Sequence, residues 1–170
     1  MIIYITGGVR SGKSRFAMEL ALQKSGSPVY VATSRIRDED FARRVKRHQD
    51  ERGPEWVSLE SEKDLYLLPL GGKVVVIDCV TLWLTNLFEA FGYDVGKSLA
   101  AFKAEIDALA RIDATLIIIS NEIGMGVHAA TEAGRKFTDL QGWANQYVAA
   151  VAREAIMMVS GLPLTLKSTK

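Results

Sequence analysis

Short runs of aliphatic and β-branched residues alternate along this chain with longer stretches whose apolar positions recur every three or four residues. Ile2-Ile3-Tyr4-Ile5 reads as a buried strand. Beyond a glycine-rich segment, Arg15 to Leu22 places apolar residues at 16, 17, 20 and 21 and reads as a helix. Val29 to Ala32 predicts a second strand, bracketed by Ser27-Pro28 and Thr33-Ser34. Asp38 to Arg52 is a highly charged helical segment with Phe41, Ala42 and Val45 as its apolar stripe, and Gly53-Pro54 stops it. Trp56 to Leu59 reads as a short strand, and Glu62 to Leu68 as a small helix. Gly71-Gly72 turns the chain into Lys73 to Asp78, a continuous apolar strand ending in a carboxylate.

Further along, helices are expected over Thr81 to Ala90 and over Val95 to Arg111, the second with apolar positions at 99, 102, 106 and 109. Thr115 to Ser120 is the clearest strand, and Thr138 to Ala155 predicts a long final helix. Met157 to Ser160 and Leu164 to Leu166, around Gly161, read as an edge hairpin. Continuous β-branched strands separated by helices define an α/β protein: a mostly parallel sheet with helices on both faces and an antiparallel C-terminal edge.

Composition sets outer limits on this picture. A chain of 170 residues is expected to form a single domain, 1–170, with an independent core. A formal net charge of +1 argues against a broad electrostatic footprint for nucleic acid. No apolar run approaches the ~20 residues that span a bilayer, and the first residues lack the basic region of a secretory signal. The single cysteine, Cys79, excludes an intramolecular disulfide and fits a reducing cytoplasm; beside a strand end it suits packing better than nucleophilic chemistry.

The candidate chemistry begins at Gly7-Gly8-Val9-Arg10-Ser11-Gly12-Lys13-Ser14, which fits G-x-x-x-x-G-K-[ST]. A chance glycine turn is the bland alternative, but the strand before it and the helix after it give the context of a phosphate-binding P-loop. Glycines let successive N–H groups turn inward, and the helix N-terminus adds partial positive charge to the same concavity. Lys13 is then expected to reach the β- and γ-phosphates, and the Ser14 hydroxyl to ligate Mg²⁺. Asp78 suits two roles: completing the Mg²⁺ site from the end of its strand, or capping the helix near Thr81. After strand 115–119 the chain reads Ser120-Asn121-Glu122-Ile123, without the N-K-x-D that reads guanine in regulatory GTPases, so a Ras-like switch is disfavoured.

His48 stands among cations, with Arg44 and Arg52 four residues to either side. Such neighbours lower an imidazole pKa and keep the nucleophilic neutral form near pH 7, although a solvated histidine on a charged helix looks the same.

Together these residues form an ordered series: GGVRSGKSR, YVATS at 30–34, R-V-x-x-H-x-x-x-R, Trp56, DCVTLWLTNLF at 78–88, SNEIGMGV at 120–127, GRKF at 134–137, NQ at 145–146 and SGLPLTLK at 160–167. Over essentially the whole chain this resembles the cobinamide kinase family, the bifunctional adenosylcobinamide kinases and adenosylcobinamide-phosphate guanylyltransferases. The resemblance implies two reactions of adenosylcobalamin assembly. In one, ATP or GTP phosphorylates the aminopropanol arm of adenosylcobinamide, with Lys13, the loop amides and Mg²⁺ stabilising the moving charge. In the other, His48 attacks the α-phosphorus of GTP, and adenosylcobinamide phosphate displaces it to give adenosylcobinamide-GDP.

The same resemblance implies that Ala32, Thr33, Ser34 and Arg35 line the nucleotide pocket. It also implies that Gln49, Asp50, Glu51 and Arg52, with Glu60 and Val80, contact GTP. Asn121, Glu122, Gly124 and Gly126 fall at a strand's carboxyl end, where ligands gather in open α/β sheets. Trp83 and Trp143 are expected to pack rather than stack on substrate, and His128 carries no assigned role. The family also implies a homotrimer with the corrinoid between subunits. Where many members have a proline after the second glycine motif and arginines at two later positions, this chain has Val127, Thr138 and Trp143. Those departures bear on the corrinoid side rather than on the nucleotide chemistry.

Overall fold

The apolar runs form the centre of a seven-stranded sheet in a computed structural model that describes residues 1–34 and 53–169. The strands are β1 (Ile2–Gly7), β2 (Val29–Ala32), β3 (Val57–Glu60), β4 (Val74–Asp78), β5 (Thr115–Ile119), β6 (Glu154–Val159) and β7 (Leu162–Ser168). Their order across the sheet is β3-β2-β4-β5-β1-β6-β7. All neighbours pair in parallel except β6 and β7, so the antiparallel C-terminal edge expected from the sequence is present. Ser160 and Gly161 turn that hairpin with φ of 52° and 82°, the left-handed pair that a two-residue loop between twisted strands demands. The charged segment expected as a helix over Asp38 to Arg52 lies outside the described residues.

Among the described residues four helices cover the sheet: α1 (Lys13–Lys24), α2 (Val80–Ala90), α3 (Val95–Ala110) and α4 (Glu132–Val151). Helix α1 lays Ala17 and Ala21 on Ile3, Ile5, Val76, Ile117 and Ile119. The other three pack on the opposite face, around Trp83, Phe102, Ile106, Leu140 and Val148. Burial of strands on both faces is why β4 and β5 read as unbroken aliphatic runs rather than alternating ones. Trp83 is wholly buried and meets Phe102 edge to face at 4.9 Å, in agreement with its expected packing role.

Two elements differ from expectation. The final helix starts at Glu132 rather than Thr138, because Thr131 caps it by accepting a hydrogen bond from Gly134 N. It ends at Val151 rather than Ala155, because β1 recruits the following residues: Arg153 N donates to Ile2 O, and Glu154 to Met158 pair with Ile3 to Gly7. The small helix expected over Glu62 to Leu68 is a single 3-10 turn at Leu65–Leu67.

Glu105, buried in α3, joins that turn to α2 by accepting from Leu65 N at 3.0 Å and from Trp83 Nε1 at 3.4 Å. Burial pushes its carboxyl pKa up, and the two hydrogen bonds pull it only partway back. A folded-state value above the unfolded one means that folding takes up a proton here. The associated stability is complete below the ordinary glutamate range and is lost as pH rises through the raised value. Glu105→Gln is therefore expected to gain on the native chain as pH rises from the ordinary glutamate pKa toward neutrality. Urea unfolding of both chains across that range checks the sign.

Candidate active site

The loop between β1 and α1 has the backbone its sequence requires. Gly7 (φ 151°), Arg10 (φ 54°) and Gly12 (φ 93°) take positive φ, and Gly12 leads into the first turn of α1. A Cβ on Gly7 would stand 2.5 Å from Met158 O, so only glycine fits where the loop leaves the sheet. The β6–β7 turn braces the loop from the side: Gly161 N donates to Ser11 O at 3.1 Å. Gly8 and Val9 form the open side of the loop, Val9 being 90% exposed.

Lys13 is buried, with Nζ donating to Gly8 O at 2.6 Å. Burial lowers its pKa, and the negative charge of Asp78 offsets part of that drop. Held this way, the ammonium closes back over the loop it would share with a polyphosphate.

Ser14 and Asp78 come together. Ser14 Oγ donates to Asp78 Oδ2 at 3.0 Å, and Tyr30 Oη donates to the same oxygen at 2.7 Å. The capping alternative for Asp78 does not hold, since the N-cap of α2 is Cys79 and no side chain caps that end. A hydroxyl and a carboxylate converging at a helix N-terminus offer two hard oxygens, a donor set that fits Mg²⁺. Among the described residues no group of three or more His, Cys, Asp or Glu could hold a metal, so these residues form no all-protein cage.

The strand ends gather the remaining expected residues along one edge. Ala32 at the end of β2 is in register with Glu60 of β3 on one side and Asp78 of β4 on the other. Thr33 is fully buried and bonds Cys79 twice, donating to its carbonyl at 2.8 Å and accepting from its N–H at 2.9 Å. Asn86 Nδ2 ties Thr33 O to Glu62 O. Val80 is also wholly buried, its side chain in the core. Ser34 follows half-buried. Arg35, His48, Gln49, Asp50, Glu51 and Arg52 lie outside the described residues. Cys79 is buried with its thiol pushed up to about 12 by burial first and by Asp78 second, which suits packing and not nucleophilic attack.

At the end of β5, Asn121 Nδ2 donates to Thr81 Oγ1 at 2.9 Å, and Glu122 N donates to Gly7 O at 3.0 Å. The β5 end is therefore bonded to both the start of α2 and the phosphate loop. Beneath it lies a buried polar group, Ser120, Gln141 and Asn145, of which Gln141 alone gave no sequence signal. Gly124 and Gly126 continue into an exposed loop that also carries His128. Trp143, expected to pack, is 48% exposed on α4, because its helical position faces away from the Leu140, Ala144 and Val148 stripe. Thr138 turns its hydroxyl back to Gly134 O.

A glycine loop, its lysine, and a serine–aspartate pair at the carboxyl edge of a parallel sheet define a P-loop nucleotide-binding protein. The sequence model of the family described as "Cobinamide kinase / cobinamide phosphate guanyltransferase" matches residues 3–166, and the chain belongs to that family. It is 35% identical over 182 residues to the bifunctional adenosylcobalamin biosynthesis protein CobU of Escherichia coli (strain K12), covering 98% of this chain and 100% of that protein. Identity to the bifunctional adenosylcobalamin biosynthesis protein CobP of Pseudomonas aeruginosa is 34%, over 96% of this chain and 95% of that one. The CobU protein of Salmonella typhimurium is likewise 34% identical, over 98% of this chain and 100% of its own length.

Proposed function

We propose that the chain carries out both transfers of its family in cobalamin biosynthesis. It phosphorylates the hydroxyl of adenosylcobinamide with ATP or GTP, then moves GMP from GTP through His48 onto adenosylcobinamide phosphate, giving adenosylcobinamide-GDP. The observation that carries this reading is the family match over residues 3–166, which takes in every residue assigned a role here.

In the kinase reaction the loop from Gly7 to Ser14 turns its N–H groups on the polyphosphate, and Lys13 leaves Gly8 O for the β- and γ-phosphate oxygens. Ser14 and Asp78 would hold Mg²⁺, which when bound supplies charge neutralisation across those oxygens. Tyr30 fixes Asp78 Oδ2 in place for that task. Ala32, Ser34, Arg35 and Glu60 line the nucleotide pocket, and the buried Thr33 and Val80 support that wall. In the second reaction His48 forms a bond to the α-phosphorus of GTP while pyrophosphate leaves, and Gln49, Asp50, Glu51 and Arg52 hold the nucleotide beside it. The acceptor phosphate then displaces His48, so one difficult transfer becomes two easier ones.

The chain 1–170 is read as one domain, supported by a sheet whose strands run from residue 2 to residue 168. No helix among the described residues is long and apolar enough to cross a membrane. A cytoplasmic location and a homotrimer are taken from the lone thiol and from the family resemblance respectively.

Transfer of γ-³²P from ATP to adenosylcobinamide tests the kinase reaction. The native chain is expected to transfer label with Mg²⁺ and to stop on chelation by EDTA. Asp78→Asn, which removes the carboxylate charge, should lower kcat by roughly 10–100-fold and raise the Mg²⁺ concentration needed for half activity. Background transfer by the native chain under saturating Mg²⁺ would remove the kinase half of the proposal.

A further inference from the structure

The strand order places β5 between β4, which delivers Asp78, and β1, which runs into the phosphate loop. Residues leaving β5 therefore emerge between the oxygens assigned to the metal and the cradle assigned to the phosphates. Glu122 is tied to that position by its N–H, which donates to Gly7 O at 3.0 Å.

The Glu122 side chain is also held. Asn145 Nδ2 donates to Glu122 Oε2 at 3.4 Å and to Asn121 O at 3.1 Å. Asn145 Oδ1 accepts from Ser120 Oγ at 2.6 Å and from Gln141 Nε2 at 2.9 Å. Because its oxygen is committed to two donors, the Asn145 amide can present only its N–H₂ end to Glu122. Ser120 and Gln141 are fully buried and Asn145 is nearly so. A buried polar group of this kind costs stability unless each member is satisfied, and Gln141 Oε1 has no hydrogen-bond partner among the described residues, so its presence here calls for a purpose beyond packing. What it supports is a half-buried carboxylate beside the phosphate loop, of which, among the described residues, only Oε2 carries a hydrogen bond.

Other described carboxylates at this edge are placed differently. Asp78 Oδ2 is taken by Ser14 and Tyr30, and Glu60 ends β3 at the outer edge of the sheet, two strands from β4.

We propose that Glu122 is the general base of the phosphoryl-transfer reaction and that Asn145 is its positioning residue. The inference rests on the kinase reading above and deepens it. The acceptor hydroxyl oxygen forms the new bond to the γ-phosphorus as the bond from that phosphorus to the bridging oxygen breaks. The hydroxyl proton passes to the Glu122 carboxylate, and the nucleoside diphosphate leaves with the electron pair. Asn145 aims the carboxylate by donating to it, itself held by the Ser120–Gln141 support.

The test uses the full chain, γ-³²P-ATP, Mg²⁺ and adenosylcobinamide, with α-³²P-GTP labelling as a second readout on the same preparations. Glu122→Gln is expected to lower phosphoryl-transfer kcat by roughly 10²–10³-fold, to leave the KM for ATP within about threefold, and to lose the acid limb of the kcat–pH profile. Its self-labelling from α-³²P-GTP should match the native chain, which shows that the variant is folded and binds nucleotide. Asn145→Ala should lower phosphoryl-transfer kcat by roughly tenfold while leaving the KM for ATP and the α-³²P-GTP self-labelling within about threefold of native; a merely structural residue would move all three together. Phosphoryl transfer by Glu122→Gln within about threefold of native, or an acid limb unchanged in that variant, overturns the assignment. A native chain that labels from α-³²P-GTP but never phosphorylates adenosylcobinamide overturns the kinase reading itself, and this inference with it.

Discussion

A His48→Ala chain incubated with α-³²P-GTP and Mg²⁺ is expected to take up no acid-labile, base-stable label, where the native chain takes it up readily. The chemistry sets the size of the effect. If the imidazole itself bonds to the α-phosphorus, alanine leaves nothing to carry the nucleotidyl group, and losses on removing a nucleophile are on the order of 10³-fold or more. Acid lability with base stability is the signature of a phosphoramidate, which separates histidine from serine or carboxylate attachment. Labelling should fall in acid, because a protonated imidazole has no free nitrogen lone pair to attack phosphorus. Phosphorylation of adenosylcobinamide by the same variant should stay within about threefold of native, because that transfer passes directly from nucleotide to hydroxyl. Equal label in both chains, or none in either while GTP binds, would sink the His48 assignment. Label lost together with phosphoryl transfer would instead show a site that had collapsed.

Local signals made much of the fold legible. Val29 to Ala32 is found residue for residue because Pro28 and the polar Thr33-Ser34 bracket a run too short to be a helix. Gly161 announced the C-terminal hairpin, since a left-handed turn position is its simplest use. The errors arose where tertiary contacts override local pattern. Residues 152 to 155 contain two alanines and a glutamate and read as helix, yet β1 needs a parallel partner on its open side and takes Glu154 and Ala155 as the start of β6. The first turns of α4 were hidden because Gly134 and its polar neighbours blur the period that its cap at Thr131 nonetheless starts.

The site divides along the same line. Gly7 to Ser14 and Asp78 announce themselves, because the loop needs glycines in fixed places and a carboxylate at a strand end is conspicuous. Separating the two roles expected of Asp78 needed geometry: its carboxylate accepts from Ser14 and does not cap α2. Tyr30 on Asp78, Thr33 on Cys79, and Ser120 with Gln141 beneath Glu122 were invisible, since each joins segments separated by 21 to 48 positions. Only the strand order β2-β4-β5-β1 brings them together, and hydrophobic runs report that strands exist without reporting which of them are neighbours.

Lys13→Ala should weaken both reactions. The side chain is buried within the loop, and its Nζ has Gly8 O at 2.6 Å as its closest hydrogen-bond acceptor. Burial has already lowered its pKa, so desolvation has removed part of the water stabilisation that would otherwise compete with a polyphosphate for the charge. Exchanging the carbonyl for phosphate oxygens restores a full opposite charge in a partly desolvated setting, where such contacts are strongest. In the phosphoryl transfer the γ-oxygens gather charge as the bond to the bridging oxygen breaks, and loss of one such donor typically costs about 10²–10³-fold in kcat. In the guanylyl transfer the leaving group is pyrophosphate, the β- and γ-phosphates of GTP, and GTP bound at the same loop would set those phosphates on Lys13. The Lys13→Ala chain is thus expected to lose roughly 10²-fold or more in kcat for γ-³²P transfer, and to label at His48 at least tenfold more slowly than native. Single-turnover labelling beside steady-state phosphorylation separates the two effects. Should self-labelling proceed at the native rate while phosphorylation collapses, the chain must hold the GTP that reacts with His48 at a second place, away from the loop.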